Sequence, residues 1–278
     1  MGQPLPSSSH RARPIGIFDS GVGGLTVVRQ VHLALPAEDI IYLGDTARVP
    51  YGTKSPRTIV RFACEDAAFL IQKNVKALIV ACNSASASAL PALEKHFQVP
   101  IFGVIQPGIA AALELTRSHR IGVIATAATI RSGAYERGLR ARCRSARVFG
   151  RACPLLVPLV EEGWTDHRVT REVLREYLAP LRRERIDTLI LGCTHYPLLK
   201  SAIRALLGDG VALVDSAATC ARFVRDHLGQ SNLLCENRRR AGVIRPFVTD
   251  EPHRFGELAR RFLAMPCQPA RKVDLAAF

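Results

Sequence analysis

Short apolar runs alternate along most of the chain with longer stretches whose apolar residues recur at helical spacing. Runs of Val, Ile and Leu with few polar interruptions are typical of strands buried on both faces of a parallel sheet. The predicted strands are PIGIF, DIIYLGD, KALIVA, VPIFGVI, RIGVIA, DTLILG and VALVDSA. The predicted helices are LTVVRQVHLAL, PRTIVRFACEDAAFLIQK, SASASALPALEKHF, RVTREVLREYLAPLRRE and TCARFVRDHL, the third interrupted or kinked near Pro91. This alternation predicts an α/β protein.

The same order of elements occurs twice. PIGIFDSGVGGLTV is similar to RIGVIATAATIRSGAY, KALIVACNSAS is similar to DTLILGCTHYP, and the two pairs lie at nearly equal separations along the chain. We therefore expect two pseudo-symmetric domains, each a mostly parallel sheet flanked by helices, with the active site in the cleft between them. Residues 14–106 and 216–264 are predicted to form the first domain and residues 107–215 the second, with a disordered leader at 1–13 and a flexible tail at 265–278.

Composition narrows the class of protein. Apolar residues make up 48% and charged residues 22% of the 278 residues, as in globular domains. The chain contains no apolar run long enough for a membrane helix and its first residues lack the apolar core of a secretory signal, so we expect a cytoplasmic protein without a membrane partner. The eight cysteines include no CxxC pair, which argues against a zinc ribbon and a thioredoxin-type motif, and we expect no metal site.

The formal net charge of +14 comes largely from arginine, with clusters at residues 137–151 and 237–242. Such clusters are compatible with a nucleic-acid surface, or with a solvated surface of no specific function. We favour the second interpretation, because the arginines lack interleaved aromatic residues and no nucleic-acid motif accompanies them. A positive field is still able to gather an acidic substrate.

Two cysteines have matched surroundings. Cys82 and Cys193 each follow a predicted strand and precede a predicted helix, where backbone N–H groups and the helix dipole are expected to lower the thiol pKa. Either cysteine alone is most simply a small buried apolar residue. Together, in halves that face each other, they would approach one ligand from opposite sides. A thiolate and a thiol so placed can invert a stereocentre by proton transfer.

Polar residues at the other predicted strand ends and loops complete a candidate site. His195 lies close enough to Cys193 to hold or relay a proton, and Glu161 or Glu162 is a candidate for orienting it. Structural alternatives stay open, since such residues also cap helices, form turns or lie in solvent. The remaining candidates are Asp19 and Ser20 beside a Gly-rich turn, Tyr51 and Gly52 in a loop, and Asn83, Ser84 and Thr194 beside the cysteines.

Five motifs resemble those of glutamate racemases, in the aspartate/glutamate racemase superfamily. They are GIFDSGVGGLTV, YLGDTARVPYG, ACNSASA, PLLVPLVEEG and LGCTHYPLL, and they span roughly residues 14–227 in the family order. The resemblance implies that L- and D-glutamate are interconverted by two bases without pyridoxal phosphate, metal or any other cofactor. It further implies D-glutamate supply for peptidoglycan synthesis, and a homodimer.

The resemblance also implies roles for residues. Cys82 and Cys193 would be the acid/base thiols, with Asp19 near the first and His195, supported by Glu161, near the second. The glutamate site would be lined by Asp19, Ser20, Tyr51, Gly52, Asn83, Ser84, Thr194 and His195. Ser84 stands where the family usually has threonine, so we expect a modest change in substrate affinity and retained activity.

Other functions fit parts of this pattern. An aspartate racemase, or another amino-acid racemase of the superfamily, would share the two thiols, whereas a decarboxylase would need only one. A basic nucleic-acid-binding protein on a degenerate racemase fold would explain the arginines. Racemisation of glutamate compared with aspartate, and salt-dependent DNA binding, distinguish these alternatives.

Overall fold

The computed structural model describes residues 8–236 and 241–275, and within them the strands form two parallel sheets. The first sheet has the order β10-β9-β2-β1-β3-β4, and the second has the order β6-β5-β7-β8. The strands are β1 (Ile15–Asp19), β2 (Ile40–Gly44), β3 (Ala77–Val80), β4 (Ile101–Gly103), β5 (Arg120–Ala125), β6 (Arg147–Ala152), β7 (Thr188–Gly192), β8 (Ala212–Asp215), β9 (Ile244–Val248) and β10 (Arg271–Lys272).

Helices cover the faces of both sheets, as parallel strands joined by crossover helices require. Single 3₁₀ turns occur at Tyr51–Thr53 and Tyr196–Leu199. The helices are α1 (Ser8–Arg11), α2 (Leu25–Ala34), α3 (Pro56–Gln72), α4 (Asn83–His96), α5 (Ile105–Leu115), α6 (Ala127–Ser132), α7 (Ala134–Arg142), α8 (Leu156–Glu161), α9 (Arg168–Arg183), α10 (Lys200–Leu207), α11 (Ser216–Gln230) and α12 (Pro252–Leu263).

The central strands are the ones that the apolar runs predicted. In β1, β2, β3 and β7 every residue is buried, which explains why these strands read as continuous apolar runs. Ile15 of β1 pairs with Ile40 of β2 on one side and with Ala77 of β3 on the other. The expected α/β fold with two parallel sheets flanked by helices is therefore confirmed.

Local sequence fixes where several helices begin. Ser55 precedes Pro56 and its hydroxyl accepts the Thr58 N–H at 3.3 Å, which is an N-cap followed by proline at the first helical position of α3. Asp215 ends β8 and caps α11 by accepting the N–H groups of Ala217 and Ala218 at 2.9 and 3.3 Å. The Asp215 cap places the N-terminus of α11 directly at the carboxyl end of β8.

Some expectations from the sequence are corrected. Helix α4 runs without interruption through Pro91. The segment expected to be a disordered leader contains α1, where the main-chain oxygen of Arg11 accepts Lys76 Nζ at 2.6 Å; residues 1–7 lie outside the described part. The segment expected to be a flexible tail contributes β10, which pairs with β9, and Leu275 is 7% exposed. Residues 276–278 lie outside the described part.

The strands divide between the two sheets along the chain. The first sheet takes its strands from residues 15–103 and 244–272, and the second from residues 120–215. Helix α11 follows β8 and packs on α2 and α5. The domain boundaries themselves stay a prediction. In the described ranges, helices are too short or too polar to cross a membrane.

Candidate functional site

The carboxyl ends of four strands, two from each sheet, lead to the predicted site. Asp19 ends β1, Cys82 comes two residues after β3, Thr126 follows β5 and Cys193 follows β7. In parallel sheets these ends share one edge, which is where such folds bind ligands. Hydrogen bonds such as those from Thr26 to Thr194 and between Ser84 and Thr126 connect these edges of the two sheets.

Cys82 is the N-cap residue of α4 and is 6% exposed. Its Sγ lies 3.7 Å from the Ser20 hydroxyl. Burial, and next the charge of Asp19, raise the pKa of the Cys82 thiol to about 12, although the Ala85 N–H and Ser20 act in the opposite direction. The expectation that its place at the start of a helix lowers its pKa is therefore wrong for Cys82, because desolvation outweighs the helix terminus.

Cys193 is also 6% exposed, and its surroundings differ from those of Cys82. His195 Nδ1 lies 3.9 Å from Cys193 Sγ, and His195 Nε2 lies 2.9 Å from Glu161 Oε1. Burial lowers the pKa of His195, but the hydrogen bonds and charges of Cys193 and Glu161 prevail and raise it to about 10. The structure therefore brings Glu161, and not Glu162, to the imidazole, which is protonated at neutral pH.

Asp19 connects the two sides of the site. It is fully buried, its Oδ2 accepts the Gly21 N–H at 3.1 Å, and Thr194 Oγ1 points to its Oδ1 at 3.5 Å. Burial raises the pKa of Asp19, and the His195 charge opposes this. The charge of Cys193 also raises the pKa of Cys82. The two cysteines are therefore close enough for the charge of one to act on the other.

The Gly-rich turn after β1 provides close contact between the halves. A Cβ at Gly23 would lie 2.3 Å from Thr194 Oγ1 and 2.4 Å from ring atoms of His195, so a larger residue would displace both side chains. A Cβ at Gly24 would lie 2.4 Å from the Cβ of Asp19. The glycines therefore allow the turn to pack closely against Asp19, Thr194 and His195.

Asn83 and Ser84 open α4 and contact the second half. Ser84 Oγ lies 2.9 Å from the Thr126 hydroxyl and 3.2 Å from the Thr129 hydroxyl. Asn83 Oδ1 accepts the Tyr135 hydroxyl at 2.7 Å, while its buried Nδ2 has no acceptor among the described residues. Sequence reasoning missed Thr126, Thr129 and Tyr135. The repeat offered a signal, because Thr126 follows β5 where Ser20 follows β1.

Tyr51 contacts residues of the first half, whereas Gly52 lies close to the second half. The Tyr51 side chain is fully buried, and its hydroxyl contacts Asp45 and Asp66. A Cβ at Gly52 would lie 2.7 Å from Thr126 Cβ in the other half. Gly52 thus closes the gap between the halves.

One large cavity has none of the predicted site residues in its lining. It measures about 660 Å³ and is lined by charged residues that include Asp45, Arg48 and Lys272. A smaller cavity of about 200 Å³ is lined in part by Gly21 and Glu161 and so borders the site. We assign the site from its reactive groups and not from cavity size. These groups are the thiols of Cys82 and Cys193, the His195 imidazole and the Asn83 amide, and all of them follow strand ends. In residues 8–236 and 241–275 no cluster of three or more His, Cys, Asp or Glu side chains is arranged to hold a metal.

Comparison with known proteins agrees with this geometry. Residues 15–224 match the Asp/Glu/Hydantoin racemase family. The chain is 50% identical to a glutamate racemase of Geobacter metallireducens over 95% of this chain and 98% of that protein. Crystal structures of glutamate racemases from Bacillus anthracis and from Francisella tularensis, the latter with D-glutamate, align with TM-scores of 0.92 and 0.90, at 41% and 40% identity. Both alignments cover 96% of this chain, and 99% and 100% of those chains. The chain therefore belongs to the Asp/Glu/Hydantoin racemase family.

Proposed function

We propose that this protein interconverts L- and D-glutamate by proton transfer at the α-carbon, with Cys82 and Cys193 as the two acid/base groups and no cofactor. The observation that carries the proposal is the pair of buried thiols at matched strand ends of the two sheets, joined through Asp19 and Thr194. The names of the relatives support the substrate, since those compared above are glutamate racemases and one structure holds D-glutamate.

The surroundings of the two thiols differ in a way that suits one base and one acid. The His195 imidazolium, held by Glu161, places Nδ1 3.9 Å from Cys193 Sγ, so a positive charge faces this sulfur when Cys193 acts as the base. The raised pKa keeps the proton on Cys82. The Cys193 thiolate removes the α-proton, forming an S–H bond as the C–H bond breaks, and the Cys82 thiol delivers its proton to the opposite face of the carbanion. The reverse reaction exchanges the two roles.

Donors around the thiols suit an amino acid with two carboxylates. The orphaned Nδ2 of Asn83 is a buried donor that a carboxylate oxygen would satisfy. The hydroxyls of Ser84, Thr126 and Thr194 lie at contacts that follow the strand ends, between Ser84 and Thr126 and between Thr194 and Asp19. Fixed donors in a buried site stabilise the negative charge that develops as the α-proton leaves.

Exchange of the α-hydrogen with solvent deuterium, together with polarimetric detection of racemisation, tests this proposal. We expect racemisation of glutamate but not aspartate without added cofactor, and its loss in Cys82→Ser and in Cys193→Ser. Cys267→Ser is the matched control, because Cys267 is an exposed thiol away from the strand ends, and it should keep the parent rate. Racemisation at the parent rate by either active-site variant would show that the two-base assignment is wrong.

We further propose that the protein works in the bacterial cytoplasm, supplies D-glutamate for peptidoglycan, and acts as a homodimer. Free thiols at both catalytic positions favour a reducing compartment. The compared relatives come from bacteria. Sedimentation at several protein concentrations tests the homodimer.

A further inference from the structure

The loop between β2 and α3, residues 45–54, reaches both halves at the cleft. A Cβ at Gly21, in the turn after β1, would lie 2.9 Å from Val49 Cγ1. At the other end of the loop, Gly52 packs against Thr126 of the second half. The position of this loop therefore sets where the main chain of Tyr51 and Gly52 lies between the two halves.

Charged residues anchor the loop from behind. Arg48 lies in the loop, and its Nε and Nη2 reach Asp45 Oδ2 and Asp66 Oδ1 at 2.6 and 3.0 Å. Its Nη1 contacts Glu65, and its guanidinium lies 4.2 Å from the centre of the Phe62 ring. Asp45 and Asp66 are fully buried, so the loop is fixed to α3 by a desolvated network.

The hydrogen bonds of Tyr51 indicate where a proton lies in this network. Its hydroxyl contacts Asp45 Oδ2 and lies 2.9 Å from Asp66 Oδ2, yet a hydroxyl donates only one proton. Burial and the neighbouring Asp45 raise the pKa of Asp66 well above its ordinary value, against the effect of Arg48. A proton on Asp66, donated to Tyr51 while Tyr51 donates to Asp45, satisfies every contact.

We propose that Arg48 and a protonated Asp66 are positioning residues for substrate binding, which hold the β2–α3 loop so that Tyr51 and Gly52 present their main chain to the substrate. The substrate part rests on the proposed function, whereas the anchoring of the loop does not. Neither side chain is expected to touch the reacting atoms. Loss of the anchor should weaken binding of ground state and transition state alike, which raises KM with little change in kcat.

The charged and titratable groups facing Asp66 come from two elements and from the loop between them. They are Tyr42 on β2, Asp45, Arg48 and Tyr51 in the loop, and Cys64 and Glu65 on α3. An asparagine at position 66 keeps the acceptor for Arg48 and supplies an N–H donor to Tyr51, so it reproduces the protonated carboxyl. A leucine of similar size supplies neither.

Steady-state kinetics of four variants test the proposal. Arg48→Met and Asp66→Leu should raise the KM for glutamate by about tenfold or more while kcat changes by less than about threefold. Asp66→Asn should stay within about twofold of the parent in both constants. Arg61→Met is the matched control, because the Arg61 guanidinium lies 5.0 Å from the same Phe62 ring but makes its ion pair with Glu65 and not with Asp45 or Asp66. Arg61→Met should match the parent.

Amide hydrogen exchange of the peptide containing Tyr51 and Gly52 separates this proposal from the proposed function. Exchange there should be about tenfold faster in Arg48→Met than in the parent and in Arg61→Met, whether or not the protein racemises glutamate. Unchanged exchange, or an Arg48→Met KM equal to that of Arg61→Met, would overturn the positioning role. A KM in Asp66→Asn as high as in Asp66→Leu would overturn the protonated carboxyl. If Asp66→Leu does not fold, Arg48→Met and Asp66→Asn still decide both points.

Discussion

At the scale of single residues, His195 couples the chemistry of the site to the stability of the fold. The pKa of a free histidine is about 6.5, and in the folded protein burial lowers the pKa of His195 while Cys193 and Glu161 raise it to about 10. A raised pKa means that the folded state binds the proton more tightly than the unfolded state. The stabilisation is complete below about pH 6.5 and is lost as pH rises toward about 10.

We therefore expect the free energy of unfolding to fall between about pH 6.5 and 8.5, before unfolded thiols begin to ionise. In His195→Gln this part of the decline should be absent. Denaturant titrations across this pH range measure it, with His253→Gln as control because the His253 side chain is 91% exposed. An equal pH slope in the parent and in His195→Gln would contradict the raised pKa.

The positions of the reactive residues were easier to predict from the sequence than their pKa values. Cys82, Cys193 and His195 follow predicted strands, and the structure places them at the strand ends as expected. The lowered pKa expected for Cys82 was wrong because a motif indicates the nearby helix terminus but not the burial. Thr126 was missed because its partner, Ser84, lies in the other half, and such pairing is not visible in either segment alone.

At the scale of elements, the strands that were missed are those with weak apolar patterns. β6 is an edge strand with two arginines among its exposed and half-buried residues, so it lacks the apolar run of the central strands. β9 contains Pro246 yet pairs with β2 over its whole length, against the usual exclusion of proline from inner strands. Strands made of apolar runs are predictable from the sequence, whereas strands with exposed arginines or a proline, such as β6 and β9, depend on tertiary contacts.

Helix α12 lies beyond the family motifs yet contacts the His195–Glu161 pair. The Phe262 ring packs edge-on at 5.1 Å from the imidazole, and Arg261 Nη1 donates to the main-chain oxygen of Glu161 at 3.0 Å. This oxygen belongs to the last residue of the short helix α8, whose terminal carbonyls lack helical partners. Gly163, at φ +79°, leaves room for the guanidinium.

We expect Arg261→Met to lower kcat about two- to tenfold with little change in KM, because the loss of one hydrogen bond loosens Glu161 without removing a substrate contact. Initial rates with glutamate measure the change. Arg260→Met is the control, since it removes a neighbouring arginine from the last turn of the same helix. Equal losses in both variants would assign the effect to surface charge and contradict a specific contact.

At the scale of the whole molecule, the two halves are joined by short side-chain contacts at the site itself. Thr26 of α2 donates to the main-chain oxygen of Thr194 at 2.9 Å, and Ser84 meets Thr126 at 2.9 Å. The internal repeat predicted two facing halves. Most of the residues that join the halves come shortly after the ends of the strands. Residues 216–264, which include α12, were predicted to belong to the first domain, but the repeat has no counterpart for strand β10 or for the contact of α12 with the site.

The arginine cluster at residues 137–151 is distributed over α7 and the edge strand β6. Arg140 pairs with Glu136 at 3.0 Å, Arg137 donates to the Ser132 main chain, and Arg142 donates to Gln106. These local contacts support the interpretation as a solvated surface. The cluster at 237–242 lies mostly outside the described residues.

A net charge of +14 also acts at a distance on the substrate. Glutamate carries one net negative charge at neutral pH, and its attraction to the protein is roughly 1 kcal/mol at low salt, falling as the Debye length shortens. We therefore expect kcat/KM to fall about three- to fivefold between about 20 mM and about 500 mM salt, while kcat stays constant because the bound complex is screened less. Neutralising the exposed Arg144 and Arg147 with glutamine should weaken this dependence slightly without changing kcat at high salt. A kcat/KM independent of salt would exclude the long-range field, and a parallel fall in kcat would place the salt effect in the site itself.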